Sequence, residues 1–150
     1  ATQQKLYQYG NDVGSYISTY EGSHKNAGQV LTDQVQDRQN QSKAQAVKDI
    51  GAALASVGKN LQSMDEVPSI VAPVHTALSK SYIEMGAKLA LVPDAESDQS
   101  YIAAIEAYNA AADAFAKQYV ALANIFVGTS VMFSPDDPGS VFSFNVGGGL

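Results

Sequence analysis

The stretch YIAAIEAYNAAADAFAKQYVALANIF, residues 101–126, is the longest apolar helical pattern in the chain. Its apolar side chains recur at alternating steps of three and four residues, which places them on one face of an α-helix. They are Tyr101, Ile105, Tyr108, Ala112, Phe115, Tyr119, Leu122 and Phe126. Ser97 or Asp98 is the predicted N-cap, and Gly128 is predicted to cap the other end. The sequence therefore predicts one helix of roughly 30 residues, about 45 Å long.

Three more segments carry apolar stripes of the same helical period. Their members are Leu6, Tyr9, Val13, Tyr16, Ile17 and Tyr20 in the first, Val47, Ile50, Leu54, Val57, Leu61 and Met64 in the second, and Val74, Leu78, Tyr82, Met85 and Leu89 in the third. Pro73 either opens the third helix or kinks it, because proline lacks an amide hydrogen, and Pro93 ends it. Four stripes joined by short breaks predict an all-α fold, an up-and-down four-helix bundle over residues 1–128.

Two features of this region have more than one interpretation. Residues 30–43 are rich in Gln and Asn and have few apolar side chains, so they form either a solvated helical arm or a long polar connection. Gly10 and Gly14 lie four residues apart in the first helix, a spacing that permits another helix to approach closely.

The C-terminal residues 129–150 have a different pattern. TSVMFS is β-branched and aromatic, PDDPG is rich in turn formers, and SVFSFNV alternates, which together predict a short β-hairpin or extended tail. An isolated hairpin is marginal in water, so this one needs a partner surface. That surface is either its own bundle or a neighbouring subunit. The predicted assembly interface is Val131, Phe133, Val141, Phe142, Phe144 and Val146.

The composition narrows the possible partners and location. The net charge of −6 and pI of about 4.6 oppose binding to nucleic acid, which needs clustered Lys and Arg. No run of 18 apolar residues is present, so we expect no membrane insertion of the mature form. The absence of cysteine excludes disulfides and thiolate metal sites. Ala1 suits the position after a signal-peptidase site, which predicts an exported protein at the cell surface or outside the cell.

No arrangement of side chains indicates catalysis, a cofactor or a metal. Glu21 and His24 form one E-x-x-H pair, whereas di-iron bundles need two such pairs and further glutamates. His75 lies near an apolar stripe, where a structural histidine is the expected role. Two histidines without partners leave general acid-base chemistry without a pair.

These observations predict a non-enzymatic, exported structural or interaction protein. It would be a self-assembling subunit of a surface filament or homo-oligomer, using its C-terminal segment for subunit contacts. The alternative is a helical domain that binds a small molecule or cofactor, a sensor or carrier, with a pocket near His75 and Tyr82.

Overall fold

The computed structural model describes residues 2–143, which contain five α-helices and two short 3₁₀ helices. The α-helices are α1 (Thr2–Ser23), α2 (Ala27–Gln36), α3 (Gln41–Gln62), α4 (Ala72–Leu91) and α5 (Asp98–Gly128), and the 3₁₀ helices are Val92–Asp94 and Pro138–Phe142. No strand occurs in this range, and the prediction of an all-α fold is confirmed. The prediction of a four-helix bundle is not confirmed, because the described part of the chain has a fifth helix, α2.

The core is built from the predicted stripes. Leu6, Val13, Val47, Leu61, Leu78 and Leu122 are all 0% exposed. Two predicted stripe residues are misplaced, since Tyr16 is 39% exposed and Met64 lies beyond the end of α3. The three-four periodicity therefore found most of the buried face of each long helix.

The polar stretch 30–43 covers most of the short helix α2, a four-residue connection and the first residues of α3. The Asn40 side chain caps α3 by accepting a hydrogen bond from the Lys43 backbone N–H at 3.1 Å. Helix α2 packs on α3, and its residue Gln34 is completely buried. Pro73 lies at the start of α4, where its missing N–H costs no hydrogen bond.

Helices α3 and α4 approach each other through backbone rather than side chains. A Cβ added to Gly51 would lie 2.6 Å from the Gly86 carbonyl oxygen, and one added to Gly58 would lie 2.5 Å from the Ser79 carbonyl oxygen. From Gly51 to Gly58 the chain advances seven residues along α3, and the facing positions on α4 go back seven residues, from Gly86 to Ser79. The two helices are therefore antiparallel, with glycines where their backbones meet.

Helix α5 begins as predicted but ends differently. Ser97 is the N-cap and forms a capping box with Ser100. At the other end Gly128 is still helical, and Ser130 is the residue with positive φ, at 60°. The Val131 N–H donates to the Phe126 carbonyl at 2.9 Å and the Ser130 N–H to that of Val127 at 3.1 Å, a Schellman motif. The prediction that Gly128 caps this helix is wrong, because the motif places the left-handed residue two positions later.

The predicted C-terminal hairpin is not confirmed. Residues 129–143 contain no strand, and residues 138–142 form a 3₁₀ helix. Pro135 and Pro138 have no N–H to give to a β-ladder, and other backbone groups of the segment pair with side chains of α1 and α5. The part of the predicted second strand from residue 144 onward lies outside the described residues.

Candidate functional site

The strongest candidate site is the face of α1 that holds residues 129–143, which we call the C-terminal segment. Gln3, Tyr7, Gly10 and Gly14 contact this segment at steps of four, three and four residues. This spacing puts them on one side of the helix. Leu6, Val13 and Ile17 of the same helix are buried in the hydrophobic core.

The two glycines of α1 make room for the C-terminal segment. A Cβ on Gly10 would overlap the Phe133 ring, and a Cβ on Gly14 would overlap the Pro138 carbonyl group. Beside them, the Asn11 side-chain oxygen accepts a hydrogen bond from the Gly139 N–H at 2.8 Å. The close approach expected at these glycines is thus made by the C-terminal segment, including its short 3₁₀ helix, rather than by another long helix.

Polar side chains bind the segment at three further points. Gln3 Nε2 donates to the Thr129 carbonyl at 3.0 Å, and the Tyr7 hydroxyl donates to the Asp137 carboxylate at 2.9 Å. On α5, the Tyr119 hydroxyl donates to the Val141 carbonyl at 2.6 Å. Burial, and then the charge of Glu21, raises the pKa of Tyr119, so this phenol keeps its proton and remains a donor.

Aromatic rings fill the space between the segment and the helices. Phe142 lies 5.1 Å from Tyr119 and 5.2 Å from Phe126, measured between ring centroids. Phe133 stacks on Tyr7 at 5.7 Å and meets the edge of Phe126 at 5.1 Å. Such contacts add about 0.5–1.5 kcal/mol each beyond the buried area.

The predicted assembly residues differ in how deeply they are buried. Val131 and Phe142 are buried on the chain's own helices, and Phe133 and Val141 are partly buried there. Phe144 and Val146 lie outside the described residues. The apolar side chains left facing solvent in this region are Val127, 66% exposed, and Met132, 84% exposed.

The sequence did not reveal the polar side chains of α1 that bind the C-terminal segment. Gln3, Tyr7 and Asn11 carried no motif, and only the Gly10 and Gly14 spacing marked this helix as a place of close approach. Tyr119 was assigned to a helix stripe, where it indeed packs on Phe115, at 5.7 Å between centroids. Its hydrogen bond to Val141 links residues 22 positions apart, which a local pattern does not reveal.

His75 has the structural role that the sequence suggested. It is 6% exposed, its Nε2 lies 2.8 Å from the Leu61 carbonyl oxygen, and its Nδ1 lies 2.7 Å from the Tyr9 hydroxyl. A carbonyl only accepts, so Nε2 carries the proton and Nδ1 accepts from Tyr9. The ring therefore joins α1, the end of α3 and α4.

We expect this histidine to make stability depend on pH. Burial lowers the pKa of His75, while its bond to Leu61 acts in the opposite direction. Below the ordinary pKa of about 6.5 the unfolded chain binds a proton that the native state does not, so the free energy of unfolding should fall as pH falls from 7 toward the lowered pKa. Urea titrations between about pH 7 and 5 measure the slope, which approaches 1.4 kcal/mol per pH unit at most.

The two histidines provide the control for this prediction. His24→Gln leaves the Tyr9–His75 pair intact and should keep the slope, whereas His75→Gln should flatten it. An unchanged slope in His75→Gln would show that His75 does not cause the dependence of stability on pH.

The E-x-x-H pair gains no metal partners. His24 Nδ1 lies 2.9 Å from the Tyr20 carbonyl, and its ring stacks on Tyr20 at 4.6 Å. Within residues 2–143, no group of three metal-binding side chains is brought together.

None of the helices within residues 2–143 is both long and apolar enough to cross a membrane.

A small, partly open and mostly apolar cavity of about 130 Å³ lies beside the start of α2. Its lining includes Tyr20, Leu31, Ile50, Met85 and Tyr108. Pockets for cofactors and drug-sized ligands are usually about 300–1,000 Å³. The cavity is thus small for the cofactor of a sensor or carrier, and its lining does not include His75 or Tyr82.

Comparison with known proteins gives no match to a family model, to a curated protein or to a solved structure.

Proposed function

We propose that this chain is a non-enzymatic, self-assembling structural or interaction protein whose copies are joined by exchange of the C-terminal segment. In the exchanged state the segment of one copy lies on α1 of the next. Such exchange reuses contacts that already exist within one chain, so it needs no new complementary surface. Export to the cell surface or beyond belongs to the same proposal.

The observation that carries the proposal is the way the segment binds α1. It is held like a separate peptide, through Phe133 over Gly10, the Pro138–Gly139 backbone over Gly14, and hydrogen bonds from Tyr7 and to Asn11. The same contacts form whether the segment comes from the same chain or from a neighbour.

The connection between α5 and the segment favours exchange. Ser130, with a φ of 60°, lies between Gly128 and Val131. A left-handed conformation costs a non-glycine residue about 1–2 kcal/mol. Opening the chain at this point removes that cost, and short strained connections are known to promote segment exchange.

Gly14→Ala should prevent assembly through this segment. The added methyl group meets the Pro138 carbonyl, which is backbone and does not move aside without lifting the segment from α1. We expect the wild-type chain to form dimers or longer oligomers at high concentration and the variant to stay monomeric with near-native helical circular dichroism. Size-exclusion chromatography with light scattering measures the mass.

Gly22→Ala is the matched control, because it adds the same group to the same helix. A Cβ at Gly22 has nothing within 4 Å, so this variant should assemble like the wild type. A wild-type chain that remains monomeric at every concentration would overturn the proposal. So would a Gly14→Ala variant that assembles normally.

The alternative function, a small-molecule or cofactor-binding helical domain, has weaker support. His75 already has hydrogen-bond partners on both ring nitrogens, and Tyr82 packs against Phe115 at 4.7 Å between centroids. Both residues around which that pocket was expected serve the packing of the helices.

A further inference from the structure

The cavity of about 130 Å³ beside α2 lies where all five α-helices meet. Its lining includes Tyr20 of α1, Leu31 of α2, Ile50 of α3, Met85 of α4 and Tyr108 of α5. The cavity is partly open, so a small molecule can enter it from solvent. The described residues of its lining include no part of the C-terminal segment, and neither His75 nor Tyr82.

The wall that α2 contributes has small side chains. Ala27 and Gly28 line the cavity from the first turn of that helix, and Leu31 follows one turn later. Protein interiors contain few voids larger than a water molecule, because atoms that face a void lose dispersion contacts. A molecule that fills the space restores those contacts, so the packing favours an occupied cavity.

The chemistry of the lining favours a neutral and apolar occupant. Among the described residues that form it, the only polar side chains are the phenols of Tyr20 and Tyr108. Burial, and then the charges of Tyr108 and Glu21, raises the pKa of Tyr20 to about 12, and burial raises the pKa of Tyr108, so both phenols are neutral near pH 7. A buried water typically makes about three hydrogen bonds, and two phenols offer few partners. An ion has no opposite charge in this lining.

The size of the cavity and three of its residues favour one aromatic ring. An apolar cavity of about 150 Å³ in a protein core binds benzene, which is close to the volume found beside α2. Tyr20 and Tyr108 belong to the residues that make favourable contacts with aromatic rings. Met85 has a thioether, which also makes such contacts. A single ring therefore matches both the volume and the lining.

We propose that this cavity is a binding site for a small neutral aromatic molecule of one ring. The site is separate from the face of α1 that holds the C-terminal segment, and the proposal does not depend on self-assembly. It adds recognition of an apolar small molecule to a protein whose proposed role is structural.

The test is an NMR titration of the full chain, labelled with ¹⁵N, with benzene. We expect saturable shifts of backbone amides in residues 27–31, 47–54 and 85–89, with a dissociation constant on the order of 1 mM, as expected when one aromatic ring leaves water. Ala27→Leu should bind benzene at least about tenfold more weakly, because the larger side chain takes up part of the space. Ala52→Leu is the matched control, because it makes the same change at an exposed position of α3 outside the lining. It should bind benzene like the wild type.

Leu31→Ala tests the same site in the opposite direction. Leu31 is partly buried and lines the cavity, so its truncation should enlarge the space. We expect the larger aromatic molecule indole to bind this variant at least about tenfold more tightly than it binds the wild type. The variant also provides the test if Ala27→Leu loses its helical circular dichroism.

The proposal is overturned if benzene causes no saturable shifts, or if the shifts are confined to α1 and the C-terminal segment. It is also overturned if a folded Ala27→Leu variant binds benzene as tightly as the wild type, or if Leu31→Ala binds indole no better than the wild type. Cyclohexane that binds as tightly as benzene would show that the site does not select an aromatic ring.

Discussion

Gly86→Ala is expected to lower the free energy of unfolding by about 3 kcal/mol or more, the upper part of the range for overpacking. The new methyl group would overlap the Gly51 carbonyl oxygen and lie 2.8 Å from the Ala55 backbone nitrogen. Both are backbone atoms of α3, so relief requires the two helices to separate along their contact. Thermal denaturation followed by circular dichroism should show a loss of about 6 to 12 °C in Tm.

The control for this experiment is Gly28→Ala on α2. An added Cβ there has nothing within 4 Å, and alanine has the higher helix propensity. We therefore expect an unchanged or slightly raised Tm. If Gly86→Ala behaves like Gly28→Ala, α3 and α4 are not packed through their backbones.

Phe142→Ala is expected to cost about 3 kcal/mol, the lower end of the range for removing a buried phenylalanine. Phe142 is 3% exposed and fills the space between Tyr119 and Phe126. Its loss leaves a cavity under the C-terminal segment. The measurement is urea unfolding in dilute solution. An equal slope m of the free energy of unfolding against urea concentration in both variants shows that stability changed and the unfolded state did not.

Met132→Ala is the matched control in the same segment. Met132 is 84% exposed, so its truncation should change stability by no more than about 0.5 kcal/mol. Equal, small effects of the two substitutions would mean that the segment does not stabilise the fold. The proposed exchange would then lose its basis as well, because it relies on the same contacts.

The sequence predicted the long helices well because their signal is local. Leu6, Val13, Leu61 and Leu122 were assigned to buried faces from spacing alone, and each is fully buried. Ser97 was one of two predicted N-caps, since capping involves only the next three residues. The polar stretch containing Gln34 was harder, because a glutamine is normally exposed and only contact with Tyr101, 67 positions away, gives it a buried place.

The candidate site was predicted in part. The residues Val131, Phe133, Val141 and Phe142 were recognised as needing a partner surface, because apolar side chains are costly to leave in water. Their conformation was predicted as a hairpin, which the described residues do not form. Alternation of side chains and turn formers is compatible with strands, but Pro135 and Pro138 leave fewer donors for a ladder, and α1 supplies better partners.

Periodicity and capping act over a few residues, so the sequence predicted the helical class of this protein, the approximate positions of its long helices and most of its core. Only the tertiary structure decided that the C-terminal segment lies on Gly10 and Gly14, that α3 and α4 meet through Gly51 and Gly86, and that Gln34 is buried. Each of these depends on atoms brought together from distant parts of the chain. Apart from the spacing of Gly10 and Gly14, no local pattern of residue types indicated these contacts.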